Sequence, residues 1–205
     1  MKLYTSRLAP NPRRVRWFLT EKAIADIDIV DIDLMTGVQK SPEYIQEVGA
    51  PVAPALILDD GTAITESLAI CRYLEALYPE PNLFGLDPRE TALIEMWTRR
   101  VELLAAHPLM MAVRHGHPAL AALETQVPAI HEANLAQAWR AMTLFESRLA
   151  RTEWIAGDRL TMADGILFTG LEFARMVRFK IPDSMPALTR WQAAMRERDS
   201  AAAGT

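Results

Sequence analysis

The sequence predicts an α/β domain over residues 1–78, a linker over 79–87 and an all-helical domain over 88–205. Three observations support this division. Short strand-like runs alternate with amphipathic helical stretches only before Tyr78. A proline-rich passage follows, with Pro79, Pro81, Gly85 and Pro88. Beyond it, apolar residues recur at helical spacing, with no strand-like alternation, internal repeat or low-complexity tract. A chain of 205 residues is long enough for two small domains, each with its own core.

Lys2-Leu3-Tyr4 reads as the first strand. Asn11 is a good N-cap, Pro12 suits the first helical position, and Val15, Phe18 and Leu19 give the helix its apolar stripe. Residues 27–32 alternate as a second strand, and Ser41 to Val48 forms a short helix. The run Ala55-Leu56-Ile57-Leu58, the turn pair Asp60-Gly61 and Thr62-Ala63-Ile64-Thr65 read as a hairpin. Glu66-Ser67 then opens a helix with Ile70, Leu74 and Leu77 at helical spacing. The order strand, helix, strand, short helix, hairpin, helix resembles a thioredoxin-like layout. In the second half, helices are expected over about 88–112, 123–150, 161–178 and 186–198, and the end Ala-Ala-Ala-Gly-Thr is expected to fray.

Composition narrows the function. A formal net charge of −4, with a pI of about 5.6, argues against nucleic acid, which needs a dense basic stripe. The first residues carry no apolar signal core and no apolar run reaches membrane-spanning length, so a cytoplasmic protein with no membrane partner is expected. Cys71 is the single cysteine, which rules out an intrachain disulfide and a thiol-rich metal site. It falls inside the helix after Ser67, where buried core is the expected role. His115 and His117 sit where the first long helix breaks; with only His107 and His131 besides, no metal site is expected.

Residues 53–74 carry the chemistry. A serine at a helix mouth, with free N–H groups and the positive dipole end, is a ready carboxylate site. Glu66 beside Ser67 can hold a cationic amine, so the pair suits the α-amino-acid end of a ligand. Pro54 fixes extended backbone ahead of the hairpin, whose edge groups can pair with a peptide-like ligand. An ordinary hairpin followed by a capped helix would share part of this pattern.

This run resembles the glutathione-binding core of glutathione transferases, where a Val-Pro-x-Leu segment and a Glu-Ser pair do these jobs. In the helical half, Trp154-Ile155-Ala156-Gly157-Asp158 precedes a reciprocal cap between Thr161 and Asp164, which resembles the buried capping box of that family's C-terminal domain. Gly165 stands where the family usually has an apolar residue. Pro10-Asn11-Pro12-Arg13-Arg14-Val15-Arg16, Glu21-Lys22 and Leu58-Asp59-Asp60-Gly61 resemble a bacterial and fungal branch lacking the tyrosine, serine or cysteine that activates glutathione in other classes. Matched by position, the resemblance implies Asn11 near the thiol, Ala53 and Pro54 along the cysteinyl backbone, Glu66 and Ser67 at the γ-glutamyl end, and Gln39 with Lys40 at the glycine carboxylate. Pro51, in Val48-Gly49-Ala50-Pro51, replaces a glycine of the usual Asn-Pro-x-Gly segment and predicts a differently shaped loop.

The resemblance implies a homodimeric glutathione transferase with glutathione as co-substrate and a small hydrophobic electrophile as second substrate. A glutathione-dependent isomerase or dehalogenase, or a non-catalytic binding protein on the same fold, are the alternatives. Thiol activation has three candidates, Asn11, Ser6 and His115, and the second-substrate pocket would be lined by Met110, Met111, Arg114, His115 and His117. The basic run Arg13, Arg14 and Arg16 reads either as a solvated face or as attracting an anion. Tyr73, Leu74, Leu77, Met96 and Trp97 are the apolar residues expected to support dimerisation.

Overall fold

The computed structural model describes residues 1–7 and 9–204, which fall into two compact units. The first spans Met1–Pro81 together with the residues from Asp199 on; the second spans Asn82–Arg198. In the first unit, strands β1 (Lys2–Thr5), β2 (Asp28–Asp31), β3 (Ala55–Ile57) and β4 (Ala63–Thr65) form one sheet in the order β2-β1-β3-β4. β1 and β2 are parallel, joined through helix α1 (Pro10–Glu21); β3 lies antiparallel to β1 and to β4. Parallel pairing needs a crossover, and α1 is that crossover. The hairpin turn is built as expected: Gly61 takes φ +85°, and the Asp60 carboxylate accepts the Thr62 amide at 2.9 Å.

Alternation along the strands divides the core in two. Helix α2 (Pro42–Val48), capped by Ser41 accepting the Tyr44 amide at 3.2 Å, brings Tyr44 and Val48 against Ala55 and Ile57. Tyr4 and Tyr44 meet there edge to face at 5.0 Å. Leu3 and Leu56, register partners on the opposite face, are wholly buried, as are Val15 and Phe18 of α1 and Ile70 and Leu74 of α3 (Ser67–Leu77). Two polar ties join α1 to α3 in the same order. Arg14 meets Ser67, and Lys22 meets Glu75 at 2.8 Å, so positions 14 to 22 and 67 to 75 run side by side in one direction. The Lys22 ammonium also donates to the Pro81 carbonyl at 2.7 Å.

Several expectations for this unit need correction. α1 begins at Pro10, with Ala9 as its extended cap, so Asn11 lies inside the first turn and caps nothing. Leu77 is 49% exposed and outside the apolar stripe. The chain end does not fray over the described residues. A 3-10 turn at Asp199–Ala202 lies on α1, where Arg13 donates to the Ala201 carbonyl at 2.8 Å and the Ala203 carbonyl at 3.2 Å. Ser200 also donates to Glu21.

The second unit contains α4 (Pro88–Val101), α5 (His107–Gly116), α6 (Pro128–Leu149), α7 (Met162–Ala174) and α8 (Pro186–Arg196). The helix expected over 88–112 is interrupted by a π turn at Glu102–Ala106. Pro108, near the start of α5, has no N–H for the i→i−4 ladder, a standard cause of such irregularity. The helix expected from 123 starts five residues later at Pro128, after a 3-10 turn at Pro118–Leu120. Pro128 offers the favoured first-turn position, which moves the start. α7 is buried along most of its length, and an added Cβ on its Gly170 would approach Ala106 to 3.3 Å, so glycine permits that close contact.

The reciprocal cap is formed. The Asp164 carboxylate accepts the Thr161 amide and hydroxyl, each at 3.0 Å, the Ile155 amide at 2.9 Å and the Trp191 indole N–H at 2.9 Å. Glu146 of α6 caps α8 by accepting the Ala187 amide at 3.1 Å and the Leu188 amide at 2.8 Å.

Candidate active site

One end of the sheet collects the site. β1 ends at Thr5, β3 begins at Ala55 and β4 ends at Thr65, and the pairing of Tyr4 with Ala55 and of Ala55 with Thr65 brings those ends level. The segments leaving this end carry Ser6, Ala53-Pro54 and Glu66-Ser67, so topology alone gathers residues far apart in sequence. Ser6 is buried just past β1. The Ala53–Pro54 peptide is cis, and the loop before it is held where the Tyr44 hydroxyl donates to the Val52 carbonyl at 2.6 Å. Burial pushes the Tyr44 phenol up to about 12, so it stays a donor at neutral pH.

Ser67 is the first residue of α3, and Glu66 before it takes φ +64° and ψ 116° while its side chain stays exposed. A non-glycine residue at positive φ costs on the order of 1–3 kcal/mol and concentrates at ligand sites. The amides of Ser67, Leu68 and Ala69 face out of the helix mouth, and no described residue engages them, as expected for a first turn. Behind this mouth lies Arg14, whose Nη1 donates to Ser67 Oγ at 3.0 Å. Arg14 and Ser67 are each 4% exposed.

The basic run is therefore not a solvated face. Arg14 is buried on α3, Arg13 holds the chain end, and Arg16 donates to Thr5 Oγ1 at 3.1 Å and pairs with Asp31. The signal for Arg14 was present in the sequence: positions 14, 15, 18 and 22 share one helical face with the buried Val15 and Phe18. Asn11 lies one turn before Arg14, and no described residue engages its backbone N–H or side-chain amide. Pro10 and Pro12 have no N–H and the Arg13 amide bonds to the Ala9 carbonyl at 3.1 Å. Among the described residues 10–13, the first turn of α1 thus has unengaged backbone donors only at Asn11.

Gln39 and Lys40 occupy a 3-10 turn at Val38–Lys40. Gln39 is turned inward, its side-chain nitrogen donating to the Leu34 carbonyl at 3.3 Å, while Lys40 is exposed. Cys71, one turn beyond Ser67, is wholly buried, and burial pushes its thiol up. That is the core role expected of it.

The remaining candidates lie in the second unit. Met110 and Met111 are half-buried on α5, and Arg114 pairs with Glu124 at 2.7 Å. His115 is buried, with its Nδ1 accepting the Val127 amide at 3.2 Å, which ties the end of α5 to the start of α6. His117 follows α5, and its Nδ1 accepts the Ala119 amide at 3.3 Å. No group of three or more metal-ligating side chains occurs among the described residues.

A four-stranded mixed sheet flanked by helices, with an anion-ready helix mouth at its end and a helical unit after it, defines a thioredoxin-like domain joined to an all-α domain. The chain belongs to the glutathione S-transferase family and is a glutathione S-transferase. The family's N-terminal domain matches residues 3–82 and its C-terminal domain matches residues 105–199. Glutathione S-transferase 2 of Saccharomyces cerevisiae is 35% identical over 98% of this chain and 87% of its own. The crystal structure of Gtt2 from the same yeast superposes with a TM-score of 0.91 at 33% identity, covering all of both chains. A glutathione S-transferase from Methylobacillus flagellatus, solved with glutathione bound, superposes with a TM-score of 0.82 at 25% identity, covering 100% of this chain and 98% of the other.

Proposed function

We propose that this transferase binds glutathione at the end of its sheet, ionises the thiol and conjugates it to small hydrophobic electrophiles. The observation that carries the reading is the α3 mouth, where three unengaged amides, the Ser67 hydroxyl and the exposed Glu66 carboxylate meet both charges of an α-amino acid. Ala53, cis to Pro54, presents backbone groups for the cysteinyl residue, and Lys40 supplies a cation for the glycine carboxylate. Gln39 stands beside Lys40 at that end, with one N–H of its side-chain amide donated to the Leu34 carbonyl and the second left for ligand. Met110 and Met111 supply polarisable, adaptable surface for the electrophile. The relative from Methylobacillus flagellatus, with glutathione bound, supports glutathione as the co-substrate.

Ser67→Ala removes one charge-assisted hydrogen bond, worth about 1.5–3 kcal/mol, or roughly 10- to 150-fold in affinity. Calorimetric titration with glutathione should show that weakening; binding as tight as wild type would place the γ-glutamyl end elsewhere.

The active form in this reading is a cytoplasmic homodimer. Leu74 and Trp97 are buried within their own units, so a dimer face draws instead on exposed Leu77 or on Leu93, Leu103 and Leu104, which are 37–51% exposed. No helix of the described chain is long and apolar enough to cross a membrane. Light scattering at micromolar concentration should return twice the 23.0 kDa of one chain, and a mass of one chain would refute the dimer.

A further inference from the structure

We infer that Arg14 is a positioning residue that fixes Ser67 as a hydrogen-bond donor, so that the α3 mouth selects a charged carboxylate over a neutral isostere. The inference rests on the glutathione reading and names what sets its selectivity. A guanidinium has donors only. In the contact from Arg14 Nη1 to Ser67 Oγ at 3.0 Å, the hydroxyl must therefore accept. Its single proton is left to donate, and no described residue takes it. The rotor of an ordinary serine is ambiguous between donor and acceptor; here a buried cation removes the ambiguity.

The surroundings point the same way. Ser67 is the first residue of α3, so its hydroxyl proton joins the unengaged amides of Leu68 and Ala69 in a set made only of donors. Arg14 places a positive charge against the positive end of the α3 dipole, an arrangement that a bound anion favours. The exposed Glu66 carboxylate lies beside Ser67, and Cys71 and Glu75 follow along α3. Cys71, one turn on, is buried and its thiol is pushed up, so it stays neutral, and Glu75, a further turn on, is held by Lys22 at 2.8 Å. A ligand with a carboxylate at this point completes the set. An amide of the same shape presents two N–H groups to donors and finds one acceptor fewer.

The test compares glutathione with its analogue in which the γ-glutamyl α-carboxylate is a carboxamide, titrated calorimetrically into wild type, Arg14→Met and Arg14→Gln. Wild type should prefer glutathione by about 10- to 150-fold, the range of one charge-assisted hydrogen bond. In Arg14→Met that preference should fall to within about threefold, chiefly through weaker glutathione binding. Arg14→Gln keeps a donor and loses the charge, so its preference should fall between the two. It carries the test alone if Arg14→Met does not fold. In the Arg14→Met background, adding Ser67→Ala should cost little more, because the two side chains act as one unit.

Equal weakening toward both ligands would show a merely structural arginine and overturn the inference, as would wild-type preference in folded Arg14→Gln or independent effects of the two residues. Wild type binding glutathione with Ser67→Ala unaffected would remove the α3 mouth from the glutathione reading itself. No binding of glutathione by wild type would overturn that reading and the inference together.

Discussion

Asp164→Ala is expected to cost on the order of 4 kcal/mol of stability, the largest loss from any single substitution considered. The carboxylate is wholly buried and accepts four hydrogen bonds, from the Ile155 and Thr161 amides, the Thr161 hydroxyl and the Trp191 indole. Alanine leaves at least three of these donors without an acceptor, each at about 1–3 kcal/mol, and non-additivity keeps the total below their sum. For a chain of this size a loss of 4 kcal/mol lowers Tm by about 8–16 °C, which differential scanning calorimetry resolves. Asp164→Asn should lose about half as much, because it keeps one acceptor and turns an amide donor toward the others. Burial pushes the Asp164 carboxyl up, against the bonds that favour its ionised form. With the folded value above the unfolded one, the folded state takes up this proton first, so acidification through that range favours folding at this residue and stability falls as pH rises through it. A drop in Tm of less than about 3 °C for Asp164→Ala would mean that water takes the place of the lost acceptor.

The α/β order, the hairpin, α3 and the Thr161–Asp164 cap were legible because each rests on local chemistry: an Asp-Gly turn, apolar periodicity and a capping pair. Less was legible where two local signals compete. Asn11 is a strong cap residue and Pro12 disfavours helix in the residue before it, yet Pro10 is equally fit for a first turn, and the fold places Asn11 inside the helix. Pro108 signals an irregular helix in its own right, but the apolar periodicity over 88–112 runs through it and hides the break.

Least legible were contacts between segments distant in sequence. Nothing near residue 201 shows that Arg13 will hold it, so the chain end read as frayed. Charge concealed Arg14 in a different way. An arginine beside two others reads as solvated, although helical spacing already put it on the buried face with Val15 and Phe18. The candidate site shows the same division: Ser67 and Glu66 stand out locally, while Arg14, the buried partner of Ser67, needed the fold.

Asn11→Asp is expected to lower turnover at neutral pH by on the order of a hundredfold or more, and Asn11→Ala by about 10- to 100-fold. A free thiol titrates near 8.5, and bringing it about two units lower requires roughly 2.7 kcal/mol of selective thiolate stabilisation. With Pro10 and Pro12 lacking N–H and the Arg13 amide committed to Ala9, α1 supplies only its dipole and the donors of Asn11. The dipole gives about 0.3–1 kcal/mol, up to ~2 in a partly buried site. One charge-assisted hydrogen bond gives about 1.5–3 kcal/mol, so in the proposed reading a bond from the Asn11 side-chain amide brings the total within reach. Its loss in Asn11→Ala should move the acid limb of the pH–rate profile up by about one to two units. Because Asn11 caps nothing, alanine at this first-turn position leaves the helix intact, and the kinetic effect is not confounded by unfolding. Aspartate adds a negative charge beside the sulfur, worth about one to three further units. Ser6→Ala and His115→Ala test the rival activators. His115 already accepts the Val127 amide, so its loss should lower Tm while leaving the profile in place. An Asn11→Ala profile that superimposes on wild type, with the Ser6→Ala profile displaced, would transfer the role to the serine at the end of β1.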